Sequence, residues 1–337
     1  MAVPHTLRLI LFLLLTVPLA AQNTTPFPRT TSIKGLQVQM VDDALALGIE
    51  HAGININLTA LVDLEKKPGN PKRVVDGYEF GFNESYLKSL DSEIKPLSDK
   101  GVLVYIILIA YPSKNAAINA LVIHPDARKD HKYTVGGFNA KTPEGKAWLK
   151  AASMEIASRW SGTRPEYGRV WGWIVGNEVN SHFMWYNIGK KPLADSVAEY
   201  ALAFRIVHDA VRTASTHARL YISFDHHWGV GVHGISAEES VPGRDYLDTF
   251  AKPYAWEKCK RLPLVDAFIY HRHVDHAHEG GLRLGLWRNA PHSIADPRSK
   301  KQIWELFRKA GTPEWDAAAA PLLPVIGLKN WDELKGE

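Results

Sequence analysis

Trp171-Gly172-Trp173-Ile174-Val175-Gly176-Asn177-Glu178-Val179-Asn180 is an apolar run that stops abruptly at an Asn-Glu pair. Trp171, Trp173, Ile174 and Val175 read as a short strand buried on both faces, as parallel strands in α/β proteins are. The carboxyl end of such a strand opens on the active-site face of a barrel. Glu178 stands at that end, beside an amide and two indoles. Burial among aromatic rings raises a glutamate toward neutrality, where it can donate a proton to a leaving group. The plainer alternative is a polar pair where a strand meets its loop. The loop that follows argues against it, because Asn180-Ser181-His182-Phe183-Met184-Trp185-Tyr186-Asn187 mixes polar and aromatic residues. Exposed ring faces are costly unless something stacks on them, and sugar rings present apolar C–H faces.

Outward from that strand, apolar runs alternate with amphipathic helices, the βα pattern of a parallel sheet or barrel. Strands are expected at 35–39, 52–58, 102–110, 171–175, 219–224 and 265–270. Helices are expected at 41–47, 85–100, 142–160, 195–214 and 299–309. Gly101 serves as a C-cap, and Thr142-Pro143 reads as an N-cap followed by proline in the first turn. Residues 66–81, rich in Pro, Gly and charge, read as a loop. Six strands fall short of the eight of a full barrel.

The chain has 337 residues, 45% of them hydrophobic, which supports one large core. Its net charge of +4 is spread without a basic block, so nucleic acid is not an expected partner. Arg8 precedes an apolar run from Leu9 to Leu19, and Ala20-Ala21 offers small residues for cleavage. That is the pattern of a signal peptide over 1–21, too short for a spanning helix. A polar linker over 22–34 and a single domain over 35–337 follow. The expected location is secreted or periplasmic, with no membrane association after cleavage. The single Cys259 forms no intramolecular disulfide.

Two more clusters close predicted strands: Asp225-His226-His227-Trp228, and His271-Arg272-His273 leading to Asp275, His276, His278 and Glu279. In a strand, His271 and His273 point to the same side and could hold a metal. The competing reading is a rim that binds substrate hydroxyls, with no metal and no cofactor, and the latter is preferred. The chain has neither a Gly-x-Ser-x-Gly elbow nor a phosphate-binding glycine loop.

At these residues the chain resembles the clan A glycoside hydrolases, which carry an Asn-Glu at the end of the fourth barrel strand. More narrowly, it resembles an uncharacterised bacterial family, domain of unknown function 5722. The stretches that carry this resemblance are 37–48, 177–182, Asp225–Trp228, His271–His276 and Glu279–Trp287. The resemblance implies a (β/α)8 TIM-barrel-like α/β fold with Glu178 as acid/base and Asn177 on the sugar 2-hydroxyl. Asn180, His182, Trp185, Tyr186, Asp225, His226, His227, Trp228, His271, Arg272, His273 and Trp287 are then candidate substrate contacts, with an oligo- or polysaccharide as partner. Such barrels hold a nucleophilic glutamate after strand seven. Between Trp228 and Val265 neither strand six nor strand seven is found, so the barrel reads as incomplete, with its usual nucleophile absent. Retaining hydrolysis needs two carboxylates about 5–5.5 Å apart, and Asp225, Glu238, Glu239 and Glu279 are the substitutes on hand. A non-catalytic carbohydrate-binding barrel and a metal-dependent hydrolase using His271–His278 are the alternatives.

Overall fold

The computed structural model describes residues 22–32, 34–129, 135–250, 287–291, 297–301, 309, 314–324 and 329–330. Its centre is a five-stranded parallel sheet of β1 (Gly35–Gln37), β2 (His51–Asn57), β6 (Leu103–Ile109), β7 (Val170–Val175) and β8 (Arg219–Tyr221). Helices α1 (Val41–Ala46), α2 (Glu84–Asp99), α4 (Pro143–Arg159) and α5 (Leu193–Ala214) carry the chain from each of these strands to the next. A short α3 (Ala116–Val122) precedes α4.

The strands lie side by side in chain order, and each pairs in parallel with its neighbour. A doubly wound sheet reverses its order at a switch point, whereas a barrel wall does not. The fold is therefore α/β of the (β/α)8 TIM-barrel type, and five of its strands lie among the described residues. After β8 the described chain runs through an irregular loop into a helix at 243–250, with no strand in between. That agrees with the expected loss of strand six for this stretch. The expected strand at 265–270 lies outside the described residues.

Alternation decides which side of the sheet is buried. Ala52, Ile54 and Ile56 of β2, with Val104, Ile106 and Leu108 of β6, form one buried row. Leu87, Leu90, Ile94 and Leu97 of α2 supply its counterpart. The opposite row is polar and aromatic: His51 Nδ1 lies 3.2 Å from the Tyr105 hydroxyl, and the rings of Tyr105 and Tyr221 are 5.6 Å apart. Burial pushes the Tyr105 phenol up to about 12. Gly172 makes this row possible, since a Cβ there would sit 2.0 Å from Tyr105 Cδ1.

The expected loop at 66–81 is corrected by the structure. β4 (Lys72–Val75) and β5 (Tyr78–Phe82) form an antiparallel hairpin, extended by β3 (Val62–Asp63). Asp76 and Gly77, at φ 51° and 85°, make the two-residue turn that left-handed backbone permits. Phe80 and Phe82 place their rings 5.5 and 5.3 Å from Trp148 of α4, which fixes the hairpin to the barrel. The expected helix at 299–309 is also corrected at its start. Ser299 and Lys300 belong to β10 (Pro297–Lys300), which pairs antiparallel with β9 (Trp287–Asn289).

Residues 22–27 lie against the amino ends of the sheet. Asn23 N–H donates to Ala214 O at 2.8 Å, and the Phe27 ring meets Trp171 at 5.5 Å beneath the Arg219 guanidinium. Among the described residues no helix is long and apolar enough to cross a membrane.

Candidate active site

β7 ends in a sharp turn. Gly176 has φ 78°, and Glu178 has φ 45°. The left-handed region costs a residue with a side chain roughly 1–2 kcal/mol, so something must hold Glu178 there. Ser223, just beyond β8, does so. The Glu178 N–H donates to Ser223 Oγ at 2.8 Å, and the Val179 N–H donates to Ser223 O at 3.1 Å. The Ser223 hydroxyl in turn reaches Gly176 O at 3.4 Å.

The zip continues at Asp225, which is buried. Asn180 Nδ2 donates to Oδ1 at 2.7 Å, and Asn180 Oδ1 accepts the Asp225 N–H at 3.0 Å. The second Asn180 N–H reaches Val241 O at 3.0 Å, tying in the loop that leads to the helix at 243–250. Ser181 Oγ donates to Asp225 Oδ2. His227 binds the same carboxylate twice, through its backbone N–H to Oδ1 at 2.9 Å and through Nδ1 to Oδ2 at 3.0 Å.

The electrostatics follow from this arrangement. Burial raises the proton affinity of Glu178 first, the Asp225 charge raises it further, and His226 and His227 oppose both. Burial also favours the neutral form of Asp225, but its bonds from Ser181, Asn180 and His227 outweigh that and hold it below the usual carboxylate range. Two neighbouring carboxyls are thus driven apart, one toward the acid and one toward the anion, the usual basis of acid/base division of labour. His226 is exposed, with its ring 4.0 Å from that of His227.

Glu178, Asn177, Asp225, His226 and His227 come together at this rim, and Asn180 lies directly beneath it, wholly buried as a brace. Trp185 is half-buried on the loop after it. Two candidate contacts, His182 and Tyr186, are corrected, because they face inward. His182 is buried, with Nε2 on Glu238 O and Nδ1 3.5 Å from Ser196 Oγ, and burial lowers its proton affinity. Tyr186 is buried between Phe138 and Tyr200, at ring distances of 5.3 and 5.4 Å. Trp228 sets its indole edge-on to Phe224 at 5.9 Å, and its Nε1 finds no acceptor among the described residues. Packing, not sugar stacking, is what His182 and Tyr186 do, whereas Trp228 stays half-buried. Trp287 lies in β9, which pairs with β10 in a separate two-stranded sheet. His271, Arg272 and His273 lie outside the described residues, as do Glu257 and Glu279.

Of the substitute carboxylates, Glu239 is buried against Arg128 and Lys190, and Glu238 is exposed. Ser223 and Ser181 are participants that motif reading missed; alternation along an extended segment was the only signal for Ser223.

A second polar cluster joins His124, Asp126 and Glu199. His124 Nδ1 accepts the Asp126 N–H at 3.2 Å, so a neutral ring carries its proton on Nε2, which lies 3.1 Å from Glu199 Oε2. Lys141 and Lys191 place ammonium groups 2.5 and 2.8 Å from Asp126. Lysine charges thus balance the carboxylates of this cluster.

The model for "Family of unknown function (DUF5722)" matches residues 26–253 and 251–334. No curated protein matches the chain. Among solved structures, the virulence factor SghA from Agrobacterium tumefaciens is 15% identical at a TM-score of 0.39, covering 80% of this chain and 60% of that one. A family 1 β-glucosidase from Thermotoga maritima is 15% identical at 0.36, covering 58% and 38%. The exo-β-1,4-mannosidase Op5Man5 from Opitutaceae bacterium strain TAV5 is 14% identical at 0.35, covering 57% and 28%. The chain spans 38%, 44% and 43% of the length of three Thermotoga maritima glycoside hydrolase and β-glucosidase structures it is similar to.

Proposed function

The chain belongs to the family of unknown function (DUF5722), and from that premise we propose that it is an exported glycoside hydrolase-like protein acting on carbohydrate. Glu178 is the proton donor to the glycosidic oxygen, Asn177 is its neighbour on the sugar, and the sequence lacks the strand-seven segment that would bear the usual nucleophilic glutamate. One observation carries this reading. At the carboxyl end of a central parallel strand, a half-buried glutamate is held in left-handed backbone beside an ionised aspartate that favours its protonated form. A carboxyl built for structure alone has no need of that strain. The apolar run Leu9–Leu19 supports export. A purely binding barrel with an aromatic rim has less support, since Tyr186 is buried.

The test is the hydrolysis of matched phenyl and 4-nitrophenyl β-glycosides by the wild type and Glu178→Gln. General acid catalysis is worth roughly 10²–10⁴-fold, so kcat on the phenyl series should fall by that factor with KM nearly unchanged. The nitrophenyl series, whose leaving group needs less protonation, should fall less. Equal losses on both series, or none, would remove Glu178 from the role of acid.

A further inference from the structure

We infer that His227, held by Asp225, is the general base that works opposite Glu178 in a single-displacement hydrolysis; this rests on the glycosidase reading above. A double displacement needs a carboxylate free to attack the anomeric carbon. Asp225 is not free. Each of its oxygens accepts two hydrogen bonds, from Asn180 and the His227 N–H on one side and from Ser181 and His227 Nδ1 on the other. Its side chain is only 4% exposed. Among the described residues, the other buried substitute carboxylate, Glu239, is committed to Arg128. Single displacement asks for less: a water molecule and a base on the face opposite the acid.

His227 has the features of that base. Asp225 is ionised and can only accept hydrogen bonds, so Nδ1 must carry the proton that joins them. The neutral ring therefore keeps its lone pair on Nε2. Two bonds from one residue to one carboxylate fix both the backbone and the ring, much as a buried aspartate orients the histidine of a hydrolase triad. The side chain is 26% exposed, so water can reach it. The six bonds between segments 176–181 and 223–225 hold Glu178 and His227 on neighbouring strand ends.

In the step, Nε2 takes a proton from water as the water oxygen bonds to the anomeric carbon. The bond from that carbon to the leaving oxygen breaks, its electron pair goes to that oxygen, and Glu178 delivers a proton there. Imidazolium and carboxylate return to their starting states by exchange with solvent. The sugar is released with inverted configuration.

The deciding measurement is the anomer first released from a phenyl β-glycoside by the wild-type protein, read by proton NMR, together with pH profiles of the wild type and His227→Gln. Inverted product is expected. The variant should lose at least about 100-fold in kcat, with KM held within a few-fold, and should lose the acid limb of the profile. Retained product, or a variant that keeps both limbs at wild-type rate, overturns the role of His227 while leaving Glu178 standing. A wild type that hydrolyses none of the glycosides overturns the glycosidase reading and this inference together. The product anomer needs no variant, so a misfolded His227→Gln does not blunt the test.

Discussion

Replacing Asp225 by asparagine separates the brace from the charge. The amide has nearly the same shape but one acceptor oxygen in place of two. The backbone N–H of His227 and the Asn180 amide, at 2.9 and 2.7 Å, cannot reverse their polarity, so the asparagine oxygen must face them. Its NH₂ group then faces Ser181 and His227 Nδ1. Both of these can reverse, the hydroxyl by rotating and the imidazole by moving its proton to Nε2. No donor is left facing a donor, and the loss is the charge assistance alone. Bonds to charged groups are worth about 1.5–3 kcal/mol and neutral ones about 0.5–1.5. Four such bonds, less the relief of repulsion with Glu178, give an expected loss of roughly 2–4 kcal/mol. Urea unfolding should show it as a lower midpoint at unchanged slope. The folded-state pKa of Asp225 is depressed, so its contribution is present above the unfolded value, about 3.9, and fades as the pH falls through the lower folded value. The gap between wild type and variant should therefore close in acid. In carbon-13 NMR, Glu178 should titrate at lower pH in the variant, though not at its ordinary value, because burial remains. A difference under about 0.5 kcal/mol, which is the scatter of ordinary surface changes, would refute the reasoning. So would a gap that widens in acid, or an unmoved Glu178.

Arg159 is 3% exposed and bridges Asp91 at 2.6 Å and Glu84 at 3.0 Å over the Tyr167 ring, so Arg159→Met should cost about 3–5 kcal/mol in chemical denaturation by stranding two carboxylates. A loss below 1 kcal/mol would mean that water rescues both acids. Gly172→Ala places a methyl 2.0 Å from Tyr105 Cδ1, so it should lose about 1–3 kcal/mol, and Tyr105→Ala on top of it should restore part of that. A single variant as stable as the wild type would disprove the close approach.

Local chemistry was legible in the sequence wherever it is settled within a few residues. Thr142 caps α4 by accepting the Gly145 N–H at 3.0 Å, and Gly101, at φ 79°, ends α2 as its position implied. The hairpin at 72–82 was missed although its signal was present. Asp76-Gly77 is a strong turn dipeptide between Val74-Val75 and Tyr78-Glu79-Phe80, but the flanking lysines and prolines masked the alternation.

Period and strand ends determined the α/β class, the order of strands and the position of Glu178, because a doubly buried strand that stops at a carboxylate has few other readings. What the sequence could not decide was which way the polar and aromatic residues beyond each strand end face. Tyr186, His182 and Trp185 are three neighbours in one loop and look alike as candidates. Tyr186 is buried because Tyr200 of α5 and Phe138 close over it, and His182 because Glu238 O comes to its ring from 56 residues away. Asp225 likewise became an anion and a brace only when β7 and β8 brought Asn180 and Ser181 beside it. Burial and proton affinity are sums over neighbours distant in sequence, and only the folded chain brings those neighbours together.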